Sequence, residues 1–173
     1  MNYVNKYLRF VETVRKRSLL LLLTMLLMVP GHAQKNKLPP FQVMQTNGKF
    51  FKAEQLPLGK PIVLIYFAPG CDHCEKLMNS FVKNENAFQN ASVVMITYYP
   101  IEVVKGFIKQ FSLQKYNNVY VGTEGNTFFI KEYYDLNALP FMALYTKNGD
   151  LVQKYHSEKD IDTLVRRLKN LKS

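Results

Sequence analysis

The sequence predicts an α/β domain in which a mixed β-sheet carries helices on both of its faces. Three observations predict this class: continuously apolar, β-branched segments that indicate buried strands, amphipathic patterns of helical period that follow them, and an Asn-Gly turn between two late strands. The resulting order is β, α, β, α, then a β-hairpin and a last helix. Such an order describes a mixed sheet with helices packed against it.

The first 33 residues have the charge and polarity order of a signal peptide. Five basic residues and one acid occupy residues 1–17, residues 19–29 are apolar except for Thr24, and Gly31 and Ala33 are small residues before a cleavage point. A helix needs about 20 apolar residues to cross a bilayer, so this run is short for a permanent span. We therefore expect residues 1–33 to direct export, to the periplasm. The alternative is an uncleaved leader that anchors the protein to the inner membrane.

The remaining chain is long enough for one domain. Residues 34–40 are polar and end in prolines, which predicts a flexible lead-in, and residues 41–173 form the predicted domain. After the leader, the chain has 18 basic and 12 acidic residues, a net charge of +6. Because its lysines are scattered rather than clustered, we expect no nucleic-acid partner.

The first predicted elements are a hairpin and a buried strand. Residues 41–45 and the Phe50-Phe51 pair flank Asn47-Gly48, whose positive φ angles suit a tight hairpin. Residues 62–68, IVLIYFA, have the composition of a strand covered on both faces. Pro69-Gly70 ends that strand, and the apolar spacing beyond it predicts a helix that begins at about Cys71.

The rest of the chain continues the alternation of strands and helices. Residues 92–98 read as a second buried strand, followed by a helix with one apolar stripe, then by a short strand at 119–121 and a short helix at 127–134. Residues 141–146 and 151–155 flank Asn148-Gly149, a second hairpin signal. Asp160 is placed to cap the last helix, whose apolar positions are Ile161, Leu164, Val165, Leu168 and Leu171.

The two cysteines of the chain, Cys71 and Cys74, are the residues that carry chemistry. A bridge between them closes a loop too small to constrain the unfolded chain, so a structural staple explains them poorly. Free N–H groups and the helix dipole at a helix N-terminus stabilise a thiolate, which predicts Cys71 as the nucleophile and Cys74 as the resolving thiol. Between them, His73 adds positive charge when protonated and Asp72 opposes it, so both are predicted supporting residues.

Three segments of the sequence resemble the thioredoxin superfamily, in particular the exported TlpA/ResA-like thiol-disulfide oxidoreductases. They are NGKFFKAEQL, GKPIVLIYFAPGCDHC and YYDLNALPFMALYTKNGDLV, in the order of that branch. The resemblance implies a thioredoxin-like three-layer fold with an N-terminal β-hairpin extension. It also implies that Pro140 is a cis-proline opposite the dithiol and that the backbone of Leu139 binds a client peptide, as in strand addition.

The resemblance further implies an enzyme that exchanges disulfides with exported proteins and needs no cofactor beyond its own redox-active Cys71–Cys74 disulfide. A membrane or periplasmic dithiol would supply its electrons if it acts as a reductase. One departure from the family is Ile65, which stands where cytoplasmic thioredoxins keep a buried acid. That role is absent here or filled elsewhere, with Glu75 as one candidate; as a first-turn acid, Glu75 also complements the helix dipole.

Two other functions stay open at this stage. A metal-binding or metallochaperone module would use Cys71, Cys74 and a histidine, but His32 and His156 offer no evident ligand set, so we predict no metal. A non-catalytic thioredoxin-like binding domain would keep the pair as a structural bridge. Retention of both cysteines together with the proline loop favours catalysis over this second alternative.

Overall fold

A computed structural model describes residues 36–171 of the chain, together with Arg9 and Arg15. The predicted signal peptide therefore lies, apart from these two arginines, outside the described residues, as do the first residues of the predicted lead-in. Within the described part of the chain, no helix combines the length and the apolar character that crossing a membrane requires.

One seven-stranded mixed sheet organises the described residues. Its order is β2-β1-β5-β4-β3-β6-β7, with β3 parallel to β4, β4 parallel to β5, and every other neighbouring pair antiparallel. In chain order the strands are β1 Gln42–Met44, β2 Phe50–Lys52, β3 Ile62–Tyr66, β4 Ser92–Thr97, β5 Val119–Thr123, β6 Phe141–Tyr145 and β7 Leu151–Tyr155.

Five α-helices within residues 36–171 cover this sheet on both faces, which confirms the predicted fold class. Four of them, α1, α2, α3 and α5, pack on one face, and α4 packs on the other. In chain order the helices are α1 Asp72–Lys83, α2 Glu85–Phe88, α3 Ile101–Gln110, α4 Phe129–Tyr133 and α5 Ile161–Asn170.

The central strand β3 separates the two cores of the domain. Val63, Ile65 and Phe67 point into the core under the four helices, and Leu64 and Tyr66 point into the core on the side of α4. All of them are buried, as the continuously apolar sequence predicts for a strand covered on both faces. The sheet thus has a four-helix face, covered by α1, α2, α3 and α5, and an α4 face, covered by α4.

The N-terminal hairpin β1–β2 is added to the sheet beside β5. Its pairing with β5 is short, with Met44 opposite Thr123. A Cβ atom at Gly122 would lie 2.7 Å from Val43 Cγ2 and 2.9 Å from the Met44 carbonyl oxygen, so only glycine permits this approach. On the same hairpin, Phe51 stacks on Tyr120 of β5 with ring centroids 4.5 Å apart.

The structure differs from the sequence predictions at several element ends. Strand β3 ends at Tyr66 rather than at residue 68, because the chain turns there toward the helix, and β5 is two residues longer than predicted. At the start of α5, the side chain of Asp160 makes no capping hydrogen bond. A 3₁₀ turn, Glu158–Asp160, precedes the helix instead, and the Ser157 hydroxyl oxygen accepts from the Lys159 N–H at 3.2 Å.

The end of the predicted lead-in bonds to the domain. The Leu38 N–H donates to the Gly149 carbonyl at 2.9 Å, and Lys37 forms an ion pair with Asp150. Both contacts fall on the β6–β7 turn. In that turn, as in the first hairpin, the glycine of the Asn-Gly pair alone takes the positive φ, at Gly149 and at Gly48.

Candidate active site

The candidate dithiol lies where β3 passes into α1. Phe67 and Ala68 remain buried beyond the end of the strand, and Gly70 takes a φ of +78° as the chain turns. Cys71 is the N-cap residue of α1 with an extended backbone, and the first helical residue is Asp72. The prediction that the helix begins at about Cys71 is therefore confirmed.

The two thiols of this junction differ sharply in their surroundings. Both cysteines are free, Cys71 is half-buried, and Cys74 is 0% exposed. Burial, with a smaller contribution from contact with the Cys71 thiol, raises the pKa of the Cys74 thiol to about 12, against the opposing effect of the Ala68 N–H, 3.5 Å from Cys74 Sγ. At neutral pH, Cys74 is thus a protonated thiol beneath a more accessible partner.

Apolar side chains on the four-helix face provide the burial around Cys74. The thiol belongs to the same core cluster as Phe67, Leu77 and Met78. Phe67 stacks on Phe107 of α3 with ring centroids 4.2 Å apart, which fixes one wall of this cluster. A thiolate at position 74 would be desolvated in this cluster, so burial favours the neutral thiol of Cys74.

The two residues between the cysteines are exposed, and one of them has a partner that the sequence did not reveal. Asp72 lies in the first turn of α1. His73 Nδ1 lies 3.1 Å from Glu158 Oε1, in the 3₁₀ turn before α5, and this hydrogen bond is the main cause of a lowered pKa of the Glu158 carboxyl. The carboxylate offsets positive charge on His73, which weakens the effect that the imidazolium has on Cys71.

The Leu139–Pro140 peptide bond is cis, as the resemblance predicts. Pro140 is buried and Leu139 is half-buried. Leu139 packs against both core clusters, including the one that Cys71 contacts. The proline loop therefore lies at the boundary of the two faces, and because Phe141 pairs with Tyr66 it is at the same end of the sheet as the candidate dithiol.

On the α4 face, a buried acid lies behind this loop. Glu124 is 7% exposed; its Oε1 accepts from the Tyr66 hydroxyl at 2.6 Å and its Oε2 accepts from the Ile130 N–H at 2.8 Å. Burial, and then the bond to Glu124, raise the pKa of Tyr66. Neighbouring Tyr98 also has a raised pKa, mainly from burial, with smaller contributions from Tyr99 and from both cysteines.

Sequence reasoning missed both Glu158, the partner of His73, and Glu124, the buried acid. Glu75, which it proposed as a substitute for the acid missing at Ile65, lies half-buried in the first turn of α1. The acid that the fold buries is Glu124, at the end of β5 and on the face opposite Cys74. Its position at the carboxyl end of a parallel strand, where ligand sites collect, was the available signal.

Within residues 36–171 and the two described arginines, no group of three or more His, Cys, Asp or Glu side chains is arranged to hold a metal ion. The histidine near the dithiol, His73, faces Glu158 instead. His156, on the other side of the proline loop, packs its ring 5.3 Å from that of Phe141.

A mixed sheet with a CxxC at the start of a helix and a cis-proline beside it defines a thioredoxin-like protein of the thiol-disulfide oxidoreductase class. Comparison with family models agrees, because residues 35–167 match the AhpC/TSA family. The chain belongs to this family. No curated protein matches it.

Solved structures with the same fold share little sequence with this chain. MTB DsbF superposes with a TM-score of 0.64 at 19% identity, over 78% of this chain and 98% of its own. A secreted Mycobacterium tuberculosis disulfide oxidoreductase homologous to E. coli DsbE gives 0.61 at 19% identity, over 74% and 96%. The pneumococcal exposed lipoprotein thioredoxin of Streptococcus pneumoniae gives 0.54 at 18% identity, over 75% and 99%. At these identities the comparison establishes the fold.

Proposed function

We propose that this protein exchanges disulfides with exported proteins through Cys71 and Cys74, as a thiol-disulfide oxidoreductase. The observation that carries the proposal is the asymmetry of the two thiols. One is half-buried at a helix N-terminus, and the other is buried beneath it with a pKa raised to about 12. Such a pair separates the attacking sulfur from the resolving sulfur.

In the reducing direction, the Cys71 thiolate attacks one sulfur of a client disulfide. A mixed disulfide forms, and the other client sulfur leaves as a thiolate. Cys74 then loses its proton and attacks Cys71 Sγ, which releases the second client thiolate and closes the Cys71–Cys74 disulfide. Two electrons pass to the client, whose two thiolates take up the proton released by Cys74 and one proton from water, and the reverse sequence oxidises a client dithiol. No cofactor beyond the protein's own disulfide enters these steps.

The neighbouring residues have supporting roles in this proposal. Asp72 and His73 adjust the local charge at Cys71 in opposite directions, with Glu158 moderating His73. Leu139 offers its backbone to an extended client segment, and Pro140 holds that backbone beside the dithiol. Assignment to the TlpA/ResA-like branch belongs to the same proposal.

We place the protein outside the cytosol, in the periplasm, on the strength of the predicted leader. Two proteins with the same fold are described as secreted and as an exposed lipoprotein, which agrees with export. The proposed partners are thiols or disulfides of exported proteins and a membrane or periplasmic dithiol that returns the electrons. The protein contacts the membrane itself only if the leader is retained.

A trapping experiment tests the proposal. In Cys74→Ser the resolving step is lost, so exported clients should accumulate as mixed disulfides on Cys71. Diagonal electrophoresis, with a non-reducing first dimension and a reducing second dimension, separates these adducts. Cys71→Ser is the matched control and should trap none. The native protein should also reduce insulin with dithiothreitol as electron source, and both variants should lose this turnover.

Absence of adducts in Cys74→Ser, together with no insulin reduction by the native protein, would contradict the proposal and favour the non-catalytic binding domain. Stoichiometric copper or zinc binding that requires both cysteines, again without turnover, would favour the metal-binding module instead.

A further inference from the structure

A cavity of about 270 Å³ opens beside the cis-proline loop, on the α4 face of the sheet. Tyr66 and Tyr98 form its inner wall at the ends of β3 and β4, residues 136–139 form a second side, and Lys131 of α4 lies at its edge. The cavity therefore shares Leu139 with the place where we expect the client backbone to run. It is large enough for one side chain of a bound peptide.

Lys131 sets the charge of this cavity. It is the only charged residue among those that line it, and it is exposed. In residues 36–171 no carboxylate forms an ion pair with it; its Nζ instead lies 5.6 Å from the centre of the Phe128 ring. A cation with no anionic partner at the mouth of a cavity is free to pair with an anionic ligand.

Glu124, the nearby buried acid, is already hydrogen-bonded within the protein. Each of its oxygens accepts a hydrogen bond, one from the Tyr66 hydroxyl and one from the Ile130 N–H. Since the Tyr66 hydroxyl donates to Glu124, the side-chain donors that remain at the cavity include Lys131 and the Asn137 amide, which makes one long bond of 3.4 Å to the Asp135 carbonyl. The two tyrosine rings offer apolar surface between them.

We propose that this cavity binds an acidic side chain of the client, close in sequence to its reactive cysteine, and that Lys131 pairs with the carboxylate. The methylene groups of a glutamate pack against the rings of Tyr66 and Tyr98, and its carboxylate reaches Lys131 at the edge. This inference rests on the proposed function, because Leu139 places the cavity along the path of the client. It adds a specificity-determining residue and names the class of client sequence.

The test uses single-cysteine peptides activated as 2-pyridyl disulfides, whose neutral leaving group is followed by its absorbance. Glu, Gln or Lys is placed in turn at each position within two residues of the cysteine. With the reduced protein at low salt, Glu should react about threefold to tenfold faster than Gln at one or more positions, as a partly exposed ion pair allows.

Two variants and one control assign the preference to the cavity. Lys131→Gln should abolish the preference for Glu, and Lys131→Glu should reverse it in favour of Lys; both replace an exposed side chain, so the fold is retained. Lys60→Glu makes the same charge change before β3, at the end of the strand away from the dithiol, and should keep the native preference.

Equal rates for Glu and Gln at every position, or a Glu preference that survives Lys131→Gln, would overturn the subsite while leaving the thiol chemistry in place. Failure to release the leaving group from any peptide would contradict the proposed function itself, and the subsite with it.

Discussion

The two faces of the central sheet differ in polarity at the level of the dithiol. On the four-helix face, Cys74 lies among apolar side chains such as Phe67. On the α4 face, Glu124 is buried with two hydrogen bonds, and it is the only charged residue buried in the described part of the chain. One face therefore favours a neutral thiol, and the other places polar groups near the loop where we propose that the client binds.

The largest expected effect concerns the thiol on the apolar side. With its pKa raised to about 12, the Cys74 thiol is protonated at pH 7, and it is also inaccessible. In the reduced protein, iodoacetamide should therefore modify Cys71 at least about a hundredfold faster than Cys74. Peptide mapping by mass spectrometry after timed alkylation measures both rates.

The same reaction in guanidinium chloride is the control, because unfolding removes the burial and should bring the two rates within about a factor of three. Preferential modification of Cys74 in the folded protein would reverse the roles that we assign to the two sulfurs.

A matched pair of tyrosine variants compares the two faces directly. Tyr66→Phe removes the hydroxyl that donates to buried Glu124, and it should lower the free energy of unfolding by about 1.5–3 kcal/mol, the range for a hydrogen bond to a charged group. Tyr155→Phe, on the four-helix face, removes a buried hydroxyl that has no hydrogen-bond partner among the described residues. Because no hydrogen bond is lost, it should leave the free energy of unfolding unchanged or raise it.

Denaturant unfolding of both variants gives the two values. A loss in Tyr155→Phe as large as that in Tyr66→Phe would show that the faces do not differ in the way described.

The smallest expected effect lies at the exposed rim of the dithiol. His73→Ala removes an imidazolium near Cys71, so the reduced form is less stabilised and the reduction potential should fall. Because Glu158 offsets that charge, we expect a measurable fall that is smaller than about 30 mV at pH 6. Equilibration with glutathione buffers measures it.

Asp72→Asn tests the sign of the change in reduction potential. Loss of a negative charge beside Cys71 should raise the potential by a similarly small amount. Unchanged potentials in both variants would remove the two residues from the site.

Local patterns in the sequence predicted most of the elements. The run IVLIYFA fixed β3 to within two residues, because a strand covered on both faces needs apolar side chains at every position. The start of α1 at Cys71 followed from the Pro69-Gly70 break and the apolar spacing beyond it. The prediction that the Asp160 side chain caps α5 was wrong, because a 3₁₀ turn precedes this helix and the Ser157 side chain caps that turn instead.

These local patterns did not predict contacts between residues that are far apart in the sequence. The insertion of β5 between β1 and β4 depends on close packing at Gly122, which no local signal announces. Glu124 meets Tyr66 across 58 positions of sequence, and Glu158 meets His73 across an even longer separation. Charge partners of this kind are set by the fold, so the motif predicted His73 but not the carboxylate that faces it.

The glycine at position 122 has a consequence for the width of the sheet. Any side chain there would come within 3.0 Å of Val43 and of the Met44 carbonyl, so a methyl group at 122 would force β1 to move and would weaken its pairing with β5. Without that pairing the sheet would consist of β5-β4-β3-β6-β7 alone, and the ring of Tyr120 would lose Phe51, the aromatic neighbour stacked on it. The absence of a side chain at position 122 is therefore what allows the N-terminal hairpin to lie close enough to β5 to extend the sheet from five strands to seven.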